Sequence, residues 1–383
     1  MAHDTLADNR SRGVPHQGGA TTGYALSDAI EGTLADFLAA QIAALDAVDP
    51  ALGGFARTAR DLVMAGGKRL RPTFAYWGWR GAAGMDAPVE PIRSALAALE
   101  LMHTFALVHD DVMDGSDTRR GLPTAHRIFT ARHRCGRAEG DPERFGEAAA
   151  IVLGDLCLVW ADQLLARTEL PTATLFAARS WYDRMRVEAV AGQYLDVLGE
   201  TVPDTWSVER ALLVARNKTA SYTVQRPLQF GMALAGPADP AVEEAYGRFG
   251  LAGGEAFQLR DDLLGVFGDP LLTGKPAGDD LRTGKPTALL MLARRLATPS
   301  QLAELAADPA GAVNPADGSG GLTPARIARV AEVVAETGAP KRVEAMIAER
   351  VADAVAALAG APIHQDARSA LVDLAVRATN RPA

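Results

Sequence analysis

The chain has 383 residues, 48% hydrophobic and 22% charged, enough to bury a sizeable core as one large domain or two ordinary ones. Its formal charge of -8 argues against a general nucleic-acid binder, while a specific anionic ligand can still be held by a local basic cluster. The two cysteines, Cys135 and Cys157, form neither a metal-type spacing nor a disulfide framework, so a reducing cytoplasm is the simplest compartment. The N-terminal residues lack the apolar core of a signal peptide. No transmembrane segment is expected, because no stretch reaches ~18 uninterrupted apolar residues. The longest, 148–161, is broken by Asp155.

Residues 1–25 are polar and glycine-rich and read as a disordered tail. From Ser27 onward, Ile30, Leu34, Phe37, Leu38, Ile42 and Leu45 recur at threes and fours, a helical period. A second helix is expected over 50–65, stopped by Gly66 and Gly67. Pro72 then opens a third in its first turn. Helix follows helix to residue 130, and 133–146 read as a loop. Long helices are expected over 148–167, 175–198, 208–234 and 240–266. Residues 308–323, with Pro309, Gly311, Pro315, Gly318, Gly320 and Gly321, read as a loop insertion. Amphipathic, alanine-rich helices return over 324–379. Alternating strand patterns are nearly absent, so the fold class is all-α, with residues 26–383 as one domain.

The chemistry begins where the apolar run 100–109 ends in Asp110, Asp111 and Asp114. On a helix, Asp110 and Asp114 lie one turn apart on one face. Like charges so placed destabilise a helix unless something positive lies between them. Magnesium suits that place: it is a hard cation that binds through one or two carboxylates, substrate phosphates and water. A short acidic triplet is equally what a solvated helix end looks like. A second cluster at the end of an apolar stretch, Gln258-Leu259-Arg260-Asp261-Asp262, favours a metal shared between two helices. His103, two turns before Asp110, suits either the core or a ligand contact.

Basic groups answer these carboxylates. Gly66-Gly67-Lys68-Arg69-Leu70-Arg71-Pro72 places cations beside glycines at a helix start, a pattern that fits either a solvated turn or an anion cradle. Thr118-Arg119-Arg120-Gly121 follows the first acidic cluster, and Lys218-Thr219 lies inside a helical stretch. After the second cluster Thr-Gly-Lys-Pro occurs twice, holding Lys275 and Lys285 beside turns. It is no P-loop, since the Gly-x-x-x-x-Gly-Lys spacing and a preceding strand are missing.

In order and spacing these motifs, with Gly192-Gln193-Tyr194-Leu195-Asp196, resemble the trans-isoprenyl diphosphate synthases of the polyprenyl synthetase family. The resemblance runs from about residue 30 to 290. It implies an isoprenoid synthase-type helical bundle around a central apolar cavity, usually homodimeric and dependent on magnesium ions. It implies a prenyltransferase that joins isopentenyl diphosphate head to tail to an allylic diphosphate. By the same resemblance Lys68, Arg71, His103 and Arg120 hold the isopentenyl diphosphate. Arg119, Lys218, Thr219, Gln258, Lys275 and Lys285 hold the allylic diphosphate. Asp110, Asp114 and Asp261 bind magnesium, supported by Asp111 and Asp262. One departure stands out: Gly265 occupies the place where the family's second motif often has a third aspartate.

Product length in this family is set by bulky residues upstream of the first motif. Here those positions are Met102, Phe105 and Ala106, which implies a medium-chain product, geranylgeranyl before farnesyl diphosphate. The alternatives are a class I terpene cyclase, which has no use for a second diphosphate site at 66–72, and a non-catalytic subunit of a heteromeric prenyltransferase, which tends to lose its carboxylates.

Overall fold

A computed structural model describes residues 18–136, 138–202, 205–269, 278–306 and 323–380. The first helix, α1 (Gly18–Asp46), starts inside the stretch read as a tail. Helix α2 (Pro50–Met64) starts on a proline, and its cap Asp49 accepts from the Ala51 amide at 2.7 Å, satisfying a first-turn donor. Helices α3 (Leu70–Ala83) and α4 (Arg93–Met113) follow. A two-residue antiparallel ladder, β1 (Thr118–Arg119) with β2 (Leu122–Pro123), turns the chain into α5 (Ala125–Cys135).

The loop expected over 133–146 is shorter, because α6 spans Pro142–Leu165. Asp141 caps it by accepting from the Glu143 amide at 2.9 Å, and this Asp-Pro start outweighs the nearby glycines. Helix α7 spans Thr172–Thr201. The helix expected over 208–234 is continuous but not uniform. It runs as α8 (Val208–Val214), a π-helical stretch (Ala215–Gln225) and α9 (Arg226–Leu234). Then come α10 (Pro240–Phe267), α11 (Asp279–Thr283), α12 (Ala288–Leu296) and α13 (Pro299–Ala306). Last are α14 (Pro324–Glu336), α15 (Ala339–Leu358) and α16 (Gln365–Thr379). The fold is all-α, and the only strands among the described residues are β1 and β2. Residues 1–17 of the expected tail and 308–322 of the expected insertion lie outside the described residues.

The buried side chains form two apolar clusters. The larger centres on α4, whose Leu96, Leu99 and Leu101 are fully buried, and draws in Trp160, Tyr182, Phe230 and Phe249 from α6, α7, α9 and α10. The smaller gathers Trp206, Leu263, Leu289, Leu292, Val334 and Val343 around the far end of α10. Helix α10 serves both and is pinned by a buried charge. Arg260 forks onto Glu344 of α15 at 2.6 Å and donates to the Thr379 carbonyl of α16 at 2.7 Å. A buried guanidinium is tolerated when its donors are used in this way.

Helix α6 qualifies its earlier reading. By length and composition it is apolar enough to cross a membrane, although 44% of that window is buried inside the protein. It packs on α4 and α5, as a core helix does. Its outer face leaves Ile151, Val152 and Val159 exposed, and neighbouring α7 leaves Phe176, Val187 and Val190 exposed.

Candidate active site

The last turn of α4 carries its carboxylates into a ring of cations drawn from distant segments. Asp110 Oδ1 accepts from Lys218 Nζ at 3.0 Å and from Gln193 Nε2 at 3.1 Å, and its Oδ2 accepts from Arg119 Nη2 at 3.1 Å. Arg119 Nε also donates to Asp111 at 2.7 Å. Asp114, the C-cap of α4, accepts from Lys285 Nζ at 2.6 Å. Asp196 of α7 completes the ring, 2.6 Å from Lys218 and 3.6 Å from Lys285.

Burial alone would raise Asp110's pKa, but Lys218, Lys285 and Arg119 outweigh it and hold the carboxyl well below the usual range. Asp111, more deeply buried by accessible area, is pushed by burial up to about 6 against the pull of Arg119. Burial lowers Lys285's pKa, yet Asp196, Asp114 and Asp110 win and keep it above the ordinary lysine value. Asp110, Lys218, Lys285 and Arg119 are therefore ionised at neutral pH.

Lys218 reaches this ring from a stretch that is π-helical, a wider winding that re-aims side chains and recurs at functional sites. Gly192 of α7 makes room for it: a Cβ at that position would lie 2.3 Å from the Lys218 amide nitrogen.

A second basic cluster lies about two turns back along α4, at His103. Arg71 Nη2 donates to Thr223 Oγ1 at 2.9 Å, and its guanidinium sits 4.0 Å over the Tyr222 ring. His103 Nδ1 and Tyr222 Oη are 3.0 Å apart. Arg120 donates to the Gly66 carbonyl, bringing the two arginine-bearing loops together. Burial first, then Arg71, Arg120, Arg119 and Arg69, depress His103's pKa well below 6.5, so it is neutral at physiological pH. The buried Nε of Arg71 has no hydrogen-bond partner among the described residues, as suits a fork meant for an anion. Lys68, three residues before Arg71, is exposed. Arg69 turns inward instead, bonded to Glu100 at 2.5 Å and to the Val63 carbonyl at 3.1 Å.

The second acidic helix end is arranged differently. Asp262 is buried, accepts from Gln258 Nε2 at 2.8 Å and from the Ala288 amide, and is pushed by burial up to about 8. Asp261 lies beside it, half-buried. Lys275 lies outside the described residues. Among the described residues no three His, Cys, Asp or Glu side chains converge closely enough to hold a metal on their own. The donor chemistry nevertheless fits magnesium: hard carboxylate oxygens, with the ammonium groups of Lys218 and Lys285 already seated as cations among Asp110, Asp114 and Asp196.

Of the expected wall residues, Phe105 and Ala106 are half-buried, and Phe105 meets His109 edge-on with ring centroids 4.8 Å apart. Met102 is sealed in the main core. A separate polar pocket of about 450 Å³, lined by Trp181, Arg184, Gln225, Arg226 and Arg248 among others, contains none of the expected site residues. Sequence reasoning gave no role to Gln193, Asp196, Tyr222 and Thr223. The first two belong to a motif already noted, and the others lie one helical turn beyond Lys218.

A polyprenyl synthetase family profile matches residues 54–311. The chain is 34% identical over 249 residues to the geranylfarnesyl diphosphate synthase of Aeropyrum pernix, which covers 64% of this chain and 71% of that one. It is 33% identical over 294 residues to the geranylgeranyl diphosphate synthase of Mycobacterium tuberculosis, covering 76% and 75%. Among solved structures, the geranylgeranyl pyrophosphate synthase from Corynebacterium glutamicum, complexed with isoprenyl diphosphate and magnesium, superposes with a TM-score of 0.86 at 40% identity, covering 93% of this chain and 99% of that one. These likenesses support chain elongation and lend nothing to a terpene cyclase or a non-catalytic subunit. The chain belongs to the polyprenyl synthetase family and is an isoprenyl diphosphate synthase, a chain-elongating prenyltransferase.

Proposed function

We propose that this enzyme condenses isopentenyl diphosphate with an allylic diphosphate to give geranylgeranyl diphosphate, with farnesyl diphosphate as the next candidate. One observation carries the reading: two cationic clusters lie about two turns apart along one helix, the first around Asp110 and the second around His103 and Arg71. A cyclase ionises a single diphosphate; head-to-tail condensation needs two held apart.

The allylic diphosphate would lie among Lys218, Lys285 and Arg119, with Thr219, Gln258 and Lys275 assigned to the same substrate. Asp110, Asp114 and Asp261 would hold magnesium, which would supply charge neutralisation for the leaving diphosphate. Fixed ammonium and guanidinium groups add to that pull, which grows as the C–O bond breaks. Arg71, His103, Arg120 and Lys68 would hold isopentenyl diphosphate so that its double bond meets the allylic cation. Neutral His103 can still donate one ring N–H to a bound anion. The apolar face of α4 keeps water from quenching the cation. The proton lost afterwards goes to the nearest base, the released diphosphate.

The exposed apolar side chains of α6 and α7 support a homodimer, and the composition supports a cytoplasmic enzyme. The test is to incubate the purified protein with isopentenyl diphosphate and geranyl or farnesyl diphosphate, then size the products by chromatography and mass. A C20 linear diphosphate is expected; a cyclic hydrocarbon or no turnover would overturn the reading. Phe105→Ala should shift products to longer chains and Ala106→Phe to shorter ones. Unchanged products in both active variants would move the floor to another helix.

A further inference from the structure

Two residues of the π-helical stretch stand behind the second basic cluster. Thr223 Oγ1 accepts from Arg71 Nη2 at 2.9 Å, and the Tyr222 ring lies 4.0 Å from the Arg71 guanidinium. Tyr222 is 5% exposed, and its Oη meets His103 Nδ1 at 3.0 Å. The other ring nitrogen of His103, Nε2, has no hydrogen-bond partner among the described residues. One nitrogen is committed to the protein and the other is left for a ligand.

The proton positions follow from the donors and acceptors present. Burial pushes the Tyr222 phenol up to about 12, so it keeps its proton. Arg71, its cationic neighbour, can only donate. Among the described residues, the acceptor within reach of Tyr222 Oη is His103 Nδ1. A proton on Nδ1 would leave the phenol's own proton buried without an acceptor, which is costly. Burial and the surrounding arginines keep His103 neutral, so it carries a single N–H.

We propose that Tyr222 is a positioning residue for the second diphosphate: its hydroxyl donates to His103 Nδ1 and fixes the Nε2–H tautomer, so that the anion meets a donor. The other tautomer would face the anion with a lone pair and repel it. The inference rests on the reading that His103 and Arg71 hold isopentenyl diphosphate. Because the same ring stacks on Arg71, one side chain of the π-helical stretch orders both the neutral and the cationic donor.

Nitrogen-15 spectra of the full chain labelled at histidine read the tautomer directly, with His103→Gln assigning the signal and melting curves checking that variants fold. In the parent, His103 should show a bare Nδ1 and a protonated Nε2. In Tyr222→Phe, which keeps the ring beside Arg71, this single tautomer should give way to a mixture. Tyr222→Phe should raise the KM for isopentenyl diphosphate about 10-fold, the scale of one hydrogen bond to a charged group, and leave the allylic KM within about twofold. His103→Gln brings an amide donor of its own, so in that background Tyr222→Phe should cost less than about threefold. A role confined to packing would cost the same in both backgrounds. The inference is overturned by a parent spectrum with the proton on Nδ1, by an unchanged KM in Tyr222→Phe, or by equal losses in the two backgrounds. Parent-like binding of isopentenyl diphosphate by His103→Ala would instead overturn the substrate reading of this cluster.

Discussion

The two acidic helix ends look alike in sequence and differ in physics. At the end of α4, Asp110 and Asp114 are half-buried among Lys218, Lys285 and Arg119, and these cations hold Asp110 ionised. At the end of α10, Asp262 is buried against an amide side chain and a backbone N–H, and burial holds its proton on to about pH 8. An Asp-Asp pair therefore does not by itself define a charge state. The partner set does: cations on one helix end, neutral donors on the other.

The largest effect that tests this contrast is on turnover. Asp110→Ala and Asp261→Ala should each lower kcat by at least about 100-fold, the scale of losing an important electrostatic stabiliser. Asp110→Ala should also cost about 1–3 kcal/mol of stability, because Lys218 and Arg119 lose a shared acceptor. Near-normal turnover at saturating magnesium, measured for either variant, would remove that residue from the metal site.

A smaller effect sharpens the division between the two cationic clusters. Arg71→Ala should mainly raise the KM for isopentenyl diphosphate, by about 10-fold for roughly 1.4 kcal/mol of lost binding. Lys218→Ala should mainly impair the allylic partner. Direct binding of each diphosphate to each variant checks this, and weakening of the same substrate by both would merge the clusters.

The smallest effect concerns pH. Asp262's folded pKa, about 8, lies above its ordinary 3.8, so its contribution to stability is full below 3.8 and is lost as pH rises through about 8. Asp262→Asn should remove that dependence. Between pH 6 and 9 in EDTA, the parent's melting temperature should fall by about 3 °C more than the variant's. Parallel melting curves would mean that Asp262 is ionised in the folded chain.

Much of the fold was legible in the sequence. The apolar threes and fours of α1, the Pro50 start of α2 and the run ending at Asp110 are local patterns, and local patterns specify helices. The loop over 133–146 was overdrawn because Gly136 and Gly140 masked the Asp141–Pro142 start. The π-helical stretch was invisible, since its winding depends on packing between α7 and α10. Among the basic residues, only the fold separated Arg69, turned inward to Glu100, from Arg71, two residues on and aimed at Tyr222.

The sequence by itself determined an all-α chain, its acidic and basic motifs and the family chemistry they imply, because helical period and motif spacing are short-range properties. It placed two like charges on one turn of α4 and pointed to a magnesium ion to reconcile them. The tertiary structure added protein cations to that role and chose which: Lys218 comes from 108 residues beyond Asp110, and Lys285 from 171 beyond Asp114. It also turned Asp262 away from such cations. A carboxylate's charge and role depend on what lies within a few ångströms, and in a packed bundle those neighbours come from segments far apart in the chain.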